Sequence, residues 1–236
     1  MVAVPFLSGA TDRIDARLVY LASCLLMAAG TLGFALLAQG VWSGAFFQAT
    51  CGAGLAGCYM PGLRVLTDRV STAASNRPIA FYTASFGIGT SLSLLLAGGL
   101  GSLMDWRIAI ALMAAGPLLA AVIVFMGTAP HAPPGAADAH WLPRFGPVFA
   151  HPRVRELVTG YAVHCWELFG LRSWMVAFIA FAYGLSSAQA ALSPTEAAAL
   201  INLLGLPASI LGNEMAGRVG RRRWIVAMMI ASGLLC

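Results

Sequence analysis

The sequence predicts an all-α fold, a polytopic transmembrane helical bundle. Of the 236 residues, 59% are hydrophobic and only 10% are charged, and the mean hydropathy is +0.81, whereas soluble domains carry about 25% charged residues. The apolar residues fall in runs of about twenty, the length that crosses about 30 Å of hydrocarbon as a helix. No run alternates like a barrel strand, and backbone groups in lipid must be satisfied within their own segment, so the runs are predicted to be helices.

Six complete spans and the beginning of a seventh are predicted. They cover residues 18–38, 42–66, 79–100, 108–126, 157–183 and 195–211, followed by a last run at 224–236. The last run has 13 residues and the first stub covers residues 1–7; both are shorter than the lower limit of about 17 residues for a span. We therefore expect the bundle to be truncated at both ends.

The arginines indicate how the spans are oriented. All 14 basic residues are arginines, and alternating spans place most of them on one side of the membrane. That side carries Arg13, Arg17, Arg64, Arg69, Arg77, Arg144, Arg153, Arg155, Arg218, Arg221, Arg222 and Arg223. Arg107 lies on the other side, where we expect it to cap the fourth span. By the positive-inside rule the arginine-rich side is cytoplasmic, so we expect a multi-pass protein of the cell membrane, with a bacterial inner membrane as the first candidate.

Residues 127–154 form a connection unlike the others. They are rich in proline, alanine and glycine and polar enough to leave the bilayer. We predict a cytoplasmic linker between part of an amino-terminal bundle, residues 1–126, and part of a carboxy-terminal bundle, residues 155–236. A small folded domain is the alternative, which the short length and the weak apolar periodicity of this connection disfavour.

Small residues recur at every fourth position in two spans. The second span carries Gly54, Cys58 and Gly62, and the third carries Ser85, Gly89, Ser93, Ala97 and Gly101. Such spacing lets helix backbones approach closely in lipid, so both stripes are predicted to pack against neighbouring helices. Receptors and membrane enzymes pack in the same way, and the stripes do not indicate a function. The five cysteines show no C-x-x-C spacing and are predicted to be packing residues.

The segment before the first span contains a motif. Residues 8–17 read SGATDRIDAR, which resembles the signature G-x-x-x-D-R-x-G-R-[RK] between the second and third helices of major facilitator superfamily (MFS) transporters. Asp12, Arg13 and Arg17 stand at matching positions. The departures are Ser8 and Asp15 in place of glycines and Ala16 in place of an arginine. The resemblance implies that Asp12, Arg13 and Arg17 belong to a cytoplasmic gating motif, which pairs with neighbouring helix ends as the halves of the transporter move.

A weaker copy of the motif precedes the seventh run. Residues 213–222 read NEMAGRVGRR, in which Arg218, Gly220, Arg221 and Arg222 match the signature. Two such copies are expected where the halves of a transporter are parallel repeats. The resemblance implies an MFS-like fragment, roughly from the end of the family's helix 2 to the start of its helix 9.

The fifth span carries ionisable residues in an apolar setting. Such residues cost about 2.5–3.5 kcal/mol each on insertion scales and are functional candidates by default. Glu167 lies eleven residues beyond Glu156, which is about 16 Å along a helix. His164 precedes Glu167 by three residues and faces the same direction. We expect this pair to relay a proton or to contact a polar substrate; the alternative is an interhelical clamp that only orders the bundle.

Three further side chains are candidates for substrate contact. Arg172 lies about 140° around the helix from Glu167 and either contacts substrate or extends to the outer headgroups. Trp174 lies on the same stripe as Glu167 and either stacks on substrate or packs at the interface. Arg64 either binds an anionic substrate or forms a salt bridge near the cytoplasmic interface, where Asp68 is its neighbour.

These features favour secondary active transport of a small solute by alternating access, coupled to an ion gradient. A polytopic membrane enzyme is one alternative, which the scattered histidines disfavour, and a non-transporting receptor or packing subunit is another. No G-x-x-x-x-G-K-[ST] loop for ATP is present. We expect no enzymatic activity, no cofactor and no metal site. The expected partners are a small-molecule substrate, the lipid bilayer and protons or another coupling ion, but not nucleic acid, because the arginines occur in short clusters.

Overall fold

The computed structural model describes residues 3–70, 76–133, 146–185 and 190–235. Within these residues every regular element is a helix. In chain order the helices are α1 (Ala3–Ala10), α2 (Ala16–Leu37), α3 (Val41–Thr67), α4 (Asn76–Leu103), α5 (Trp106–Met113), α6 (Ala115–Gly127), α7 (Gly146–Ala150), α8 (Pro152–Leu185), α9 (Pro194–Val219) and α10 (Arg221–Leu235). The predicted all-α fold is confirmed.

Four segments of the described chain are long and apolar enough to cross a membrane. They are Ala16–Leu37, Ser85–Leu103, Trp106–Gly127 and Pro152–Leu185, and they correspond to the first, third, fourth and fifth predicted spans. The second and sixth predicted spans fall on α3 and α9, helices of 27 and 26 residues. Both exceed the length that a span needs, but small and polar residues dilute their apolar character, so their assignment as spans stays a prediction.

The fourth predicted span is not one continuous helix. α5 ends at Met113, and the next residue, Ala114, occupies a turn before α6 begins. Pro117 explains the break, because proline has no backbone N–H and its ring crowds the carbonyl of Met113, four residues earlier. The N–H of Ala114 donates instead to the carbonyl of Ala111, at 3.1 Å. The two helices still form one apolar segment of 22 residues.

The chain divides into two compact units. The first comprises Met1–Tyr82 and Leu96–Met175, and its centre is the pair of helices α2 and α3. Helices α5 and α6 pack against α2, and α1 packs mainly against α3. The small side chains of Cys24, Ala28 and Ala35 form the buried face of α2, which allows its neighbours to approach closely.

The predicted stripe on the second span is confirmed as a packing surface. A Cβ atom on Gly54 would lie 2.6 Å from the backbone nitrogen of Met27 on α2, so only glycine fits there. Cys58 contacts Cys24 across the same helix pair, and its sulfur lies 3.6 Å from the Cys24 sulfur. At Gly62, a Cβ would lie 2.5 Å from the hydroxyl oxygen of Tyr82. The stripe therefore seats α3 against its neighbours, as small-residue spacing does in membrane bundles.

The second unit comprises Thr83–Leu95 and Val176–Cys236. Within it α4 contacts α9 through a buried hydrogen bond, in which Ser91 Oγ donates to the carbonyl of Ala199 at 2.9 Å. One turn earlier, Gly87 faces the same helix, since a Cβ there would lie 3.8 Å from the nearest α9 atom. The second unit therefore uses small residues of α4 to bring two helices together.

The predicted stripe on the third span is wrong in its register. Among the described residues, nothing lies within 4 Å of a Cβ placed on Gly89 or Gly101, and Ser93 is exposed. The observed contacts use Gly87 and Ser91 instead. Both sets have four-residue spacing, and the partner helix, not the spacing, decides which set is buried.

The predicted linker at residues 127–154 is described only in part. Residues 134–145 lie outside the described residues, and α7 follows them. The division into bundles at this linker is not tested by the compact units and stays a prediction. Residues 128–133 are described, and the backbone groups of Ala129 and His131 form hydrogen bonds with Arg69 and Asp15.

Arg107 connects the start of α5 to the end of α2. Its Nη1 and Nη2 donate to the carbonyls of Ala35 and Ala38, each at 2.8 Å, and thus satisfy carbonyls that a helix end leaves without partners. The guanidinium also lies 4.6 Å from the ring centroid of Trp106. The backbone N–H of Arg107 donates to Asp105, the N-cap of α5, at 2.8 Å. The prediction that Arg107 caps the fourth span is therefore wrong: Asp105 is the N-cap of α5, and the Arg107 side chain caps the end of α2 instead.

Candidate functional site

Residues of the first motif lie in a polar cluster in the first unit. The cluster is formed by the turn between α1 and α2, the end of α3 and the segment that follows α6. We call it the motif cluster; its members are Asp12, Asp15, Arg17, Arg64, Asp68, Arg69 and the backbone of Ala129 and His131.

Asp12 and Arg64 pair at the exposed side of the motif cluster. Arg64 Nη1 lies 2.9 Å from Asp12 Oδ1, and Arg64 Nε lies 3.4 Å from Asp68 Oδ1, one turn along the chain. The Asp12 side chain is 51% exposed, and exposed ion pairs contribute about 1 kcal/mol or less. Of the two interpretations of Arg64, the structure favours the salt bridge.

Asp15 is the centre of the motif cluster. It is the N-cap of α2, and its Oδ1 accepts from the N–H of Arg17 at 2.9 Å and from Arg69 Nη2 at 3.3 Å. Its Oδ2 accepts from the backbone N–H of His131 at 2.8 Å. Burial acts to raise the pKa of Asp15, but the hydrogen bonds from His131, Arg17 and the Arg69 guanidinium together hold it below its usual value of 3.8.

Arg69 joins three parts of the first unit. Its Nη2 and Nε donate to the carbonyl of Ala129 at 2.7 and 3.1 Å, and its Nη1 donates to the carbonyl of Val65 at 3.1 Å. The same guanidinium pairs with Asp15, and the planar fork of arginine suits such divergent acceptors. One side chain thus holds the start of α2, the end of α3 and the segment after α6 together.

Asp15 and Arg69 are not among the site residues predicted from the sequence. An aspartate directly before an apolar helix is an N-cap signal, which identifies Asp15 as more than a substitute for the glycine of the signature. Arg69 follows Asp15 by 54 residues. Their contact depends on how α2 and α3 pack, and no local pattern contains that information.

Arg17 occupies the buried side of the motif cluster. It is 8% exposed, and its Nη2 donates to the carbonyl of Phe125 near the end of α6, at 2.6 Å. The guanidinium also lies 4.9 Å from the ring centroid of Phe125. This is the type of contact with a neighbouring helix end that the resemblance implies. Arg13, the other predicted arginine, is half-buried in the turn that precedes α2.

The second motif copy forms the junction between α9 and α10. Gly220 ends α9 with a φ of +97°, a left-handed conformation that residues with a side chain rarely adopt. Arg218 forms an ion pair with Glu214, one turn earlier. Arg221 and Arg222 are exposed in the first turn of α10, where the helix dipole disfavours positive charge. Their placement therefore does not serve helix stability.

We predict that Asp15→Asn lowers the free energy of unfolding by about 1–2 kcal/mol at neutral pH, since asparagine keeps the cap but loses the charged pairing with Arg69. Because the pKa of Asp15 is lowered in the folded protein, its ionised form stabilises the fold above about pH 4 and this stabilisation is lost as the pH falls further. Thermal unfolding midpoints between pH 7 and pH 3 measure both effects.

The matched control for this prediction is Asp12→Asn, which removes a more exposed carboxylate from the same motif cluster. We expect a smaller loss of stability from it. Equal losses in the two variants, or a midpoint of Asp15→Asn that falls with acid as steeply as that of the wild type, would show that Asp15 is not the centre of the cluster.

The second candidate site lies on α8. His164 Nδ1 lies 3.8 Å from Glu167 Oε2, and the two side chains are 52% and 41% exposed. Glu167 is the sixteenth of the 34 residues of α8, and therefore close to its middle. The pair is an open polar site on a helix whose most apolar window is only 6% buried.

The remaining predicted residues follow on the same helix. Arg172 is half-buried, and Trp174 is exposed. The structure brings His164 and Glu167 together and places Arg172 and Trp174 within two turns of Glu167. In the described ranges, no group of three or more histidine, cysteine, aspartate or glutamate side chains could hold a metal ion.

Within the described chain, four segments are long and apolar enough to cross a membrane, as expected of a multi-pass membrane protein. The family model of the Major Facilitator Superfamily matches residues 1–236, and the chain belongs to this family. Its members are generally transporters rather than enzymes, so the chain is a membrane transporter. A search of curated proteins found no match.

Proposed function

We propose that the protein carries out secondary active transport of a small solute by alternating access, coupled to an ion gradient, with protons as the first candidate. The observation that carries the proposal is the His164 and Glu167 pair near the middle of α8. A carboxylate beside an imidazole is costly in hydrocarbon. The side of α8 that carries the pair therefore faces polar groups or water, and a solute pathway provides both.

In this proposal Glu167 is the coupling group and His164 is its proton partner. A carboxylate and an imidazole within 4 Å can share one proton, and the charge of the pair then changes when the site exchanges protons with one side of the membrane. Arg172 and Trp174 are the proposed substrate contacts. A guanidinium attracts anionic groups, and an indole ring stacks on planar ones.

The motif cluster is the proposed cytoplasmic latch. Its Asp12 and Arg64 pair is exposed and contributes little free energy, so it can break and re-form during each cycle at low cost. The Asp15 and Arg69 contact is more buried, with side chains 10% and 18% exposed, and we assign it a permanent structural role.

We place the protein in a bacterial cell membrane, with the arginine-rich side in the cytoplasm, and propose no enzymatic activity.

Uptake into proteoliposomes tests this function. The protein is reconstituted, a proton gradient is imposed, and a panel of labelled small organic anions and neutral solutes is offered. We expect at least one solute to accumulate against its gradient and to be released when a protonophore is added. Equal uptake by vesicles without protein would contradict transport. Saturable uptake that does not depend on the proton gradient would contradict the proposed proton coupling but not the proposed transport.

A further inference from the structure

Two thiols meet at the centre of the first unit. Cys24 on α2 and Cys58 on α3 have their sulfur atoms 3.6 Å apart. Cys24 is fully buried and Cys58 is half-buried. Neither thiol belongs to the motif cluster or to the α8 site, and the proposed transport function does not use them.

Glycines fix the distance between these two helices. A Cβ on Gly54 would lie 2.6 Å from the backbone nitrogen of Met27, and one on Gly57 would overlap the Ser23 side chain. Both contacts lie within one turn of the thiol pair along the two helices. The two helices are therefore in close contact beside the thiol pair, through backbone at Gly54 and through the Ser23 side chain at Gly57, and the two sulfurs are neighbours in this packing.

The other described cysteines have different surroundings. Cys51 lies on α3 about two turns before Cys58, and its sulfur is 3.6 Å from the hydroxyl oxygen of Thr31. Cys165 lies on α8, within the same apolar span as the proposed coupling pair. Cys51 therefore serves as an internal control, because it shares the helix of Cys58 but faces a hydroxyl instead of a thiol.

We propose that Cys24 and Cys58 form a site of reversible oxidation, which a small neutral two-electron oxidant converts to a disulfide between α2 and α3. A disulfide needs a sulfur separation of about 2.05 Å, so the sulfurs must approach by about 1.5 Å from their position in the dithiol. We expect rotation about the side-chain bonds of the two cysteines to supply this movement. The product is uncharged, which suits an apolar helix interface better than a thiolate does.

With a diazenedicarboxamide as oxidant, the step balances in two stages. The sulfur of Cys58, the less buried of the two residues, adds to one nitrogen of the N=N bond, and its proton passes to the other nitrogen. The Cys24 sulfur then attacks the Cys58 sulfur; the S–S bond forms, the S–N bond breaks, and the departing nitrogen takes the Cys24 proton. Two thiols lose two protons and two electrons, and the diazene is reduced to a hydrazine.

The crosslink would close a loop of 34 residues within the first unit. Such closure restricts the unfolded chain and stabilises the folded one. Since α2 and α3 belong to the same compact unit, we expect the bond to raise the thermal unfolding midpoint by several degrees. The increase should disappear when dithiothreitol reduces the bond.

Peptide mapping tests the proposal. The purified protein in lipid nanodiscs is treated with the diazene, blocked with N-ethylmaleimide and digested without reductant. We expect a peptide that links Cys24 to Cys58, absent after reduction and absent in Cys58→Ser. Cys51→Ser should form the crosslink as the wild type does.

Two results would overturn the proposal. The first concerns protein that is treated with enough oxidant to oxidise a small soluble dithiol, then quenched and unfolded. If N-ethylmaleimide still alkylates Cys24 and Cys58 completely in this sample, no disulfide has formed. The other is a crosslink that contains Cys51 or Cys165 in place of Cys24. If Cys58→Ser does not fold, the wild-type peptide map and its reversal by dithiothreitol still decide between these outcomes.

Discussion

Glu167→Gln abolishes gradient-driven accumulation of the solute and leaves its exchange across the membrane intact. Glutamine keeps the size and hydrogen-bonding capacity of the side chain but cannot bind and release a proton in the transport cycle. A gradient of one pH unit is worth about 1.4 kcal/mol per proton, or about tenfold accumulation if one proton moves with each solute molecule. We expect the accumulation ratio of the variant to fall to about one, the value of uncoupled equilibration.

The measurement compares net uptake with counterflow in the same proteoliposomes. Counterflow reports binding and alternating access without the gradient, so it should persist in Glu167→Gln. The matched control is Glu156→Gln, which removes an exposed carboxylate near the start of the same helix and should retain accumulation. If Glu167→Gln accumulates the solute to the same ratio as the wild type, the His164 and Glu167 pair has no role in coupling and serves only in packing. Loss of both net uptake and counterflow would assign Glu167 to substrate binding.

The helices were predictable from the sequence because lipid leaves a chain few alternatives. Runs of about twenty apolar residues must satisfy their backbone groups locally, and this constraint identifies the long helices without any knowledge of their partners. The break between α5 and α6 follows from Pro117, whose effect on the carbonyl four residues earlier is also local. Which face of α4 is buried was not predictable, since Ser91 is buried by contact with a helix more than one hundred residues later.

The two motif copies show why only part of the site was predictable. The signature position that holds Gly220 in the second copy holds Asp15 in the first. Gly220 has a φ of +97° and needs no side chain, whereas Asp15 has a φ of −49° and caps the next helix with its carboxylate. The same signature position thus serves two different turns. Comparison of the motif residues with the signature could not predict the contact between Asp15 and Arg69, because the conformation of the turn determines which groups the Asp15 side chain contacts.

Gly54→Ala is predicted to destabilise the first unit by about 2 kcal/mol, within the range of overpacked cores. The added methyl group would lie 2.6 Å from the nitrogen of Met27 and 2.7 Å from the carbonyl oxygen of Ser23. Both atoms are backbone, so α2 and α3 must separate to accept it. In a helix without tertiary contacts, a change from glycine to alanine stabilises the helix by about 1 kcal/mol. A net loss in the free energy of unfolding of Gly54→Ala therefore comes from the contact between α2 and α3.

Gly52→Ala is the matched control for this prediction, because Gly52 lies on the same helix with nothing within 4 Å of an added Cβ. We expect its unfolding midpoint to equal or exceed that of the wild type, while the midpoint of Gly54→Ala falls. Separation of the helices should also move the Cys24 sulfur away from Cys58, so disulfide formation in Gly54→Ala should be slower than in Gly52→Ala. Equal midpoints in the two variants would mean that α2 and α3 can part without cost, and the close packing of the stripe would then contribute little to the stability of this unit.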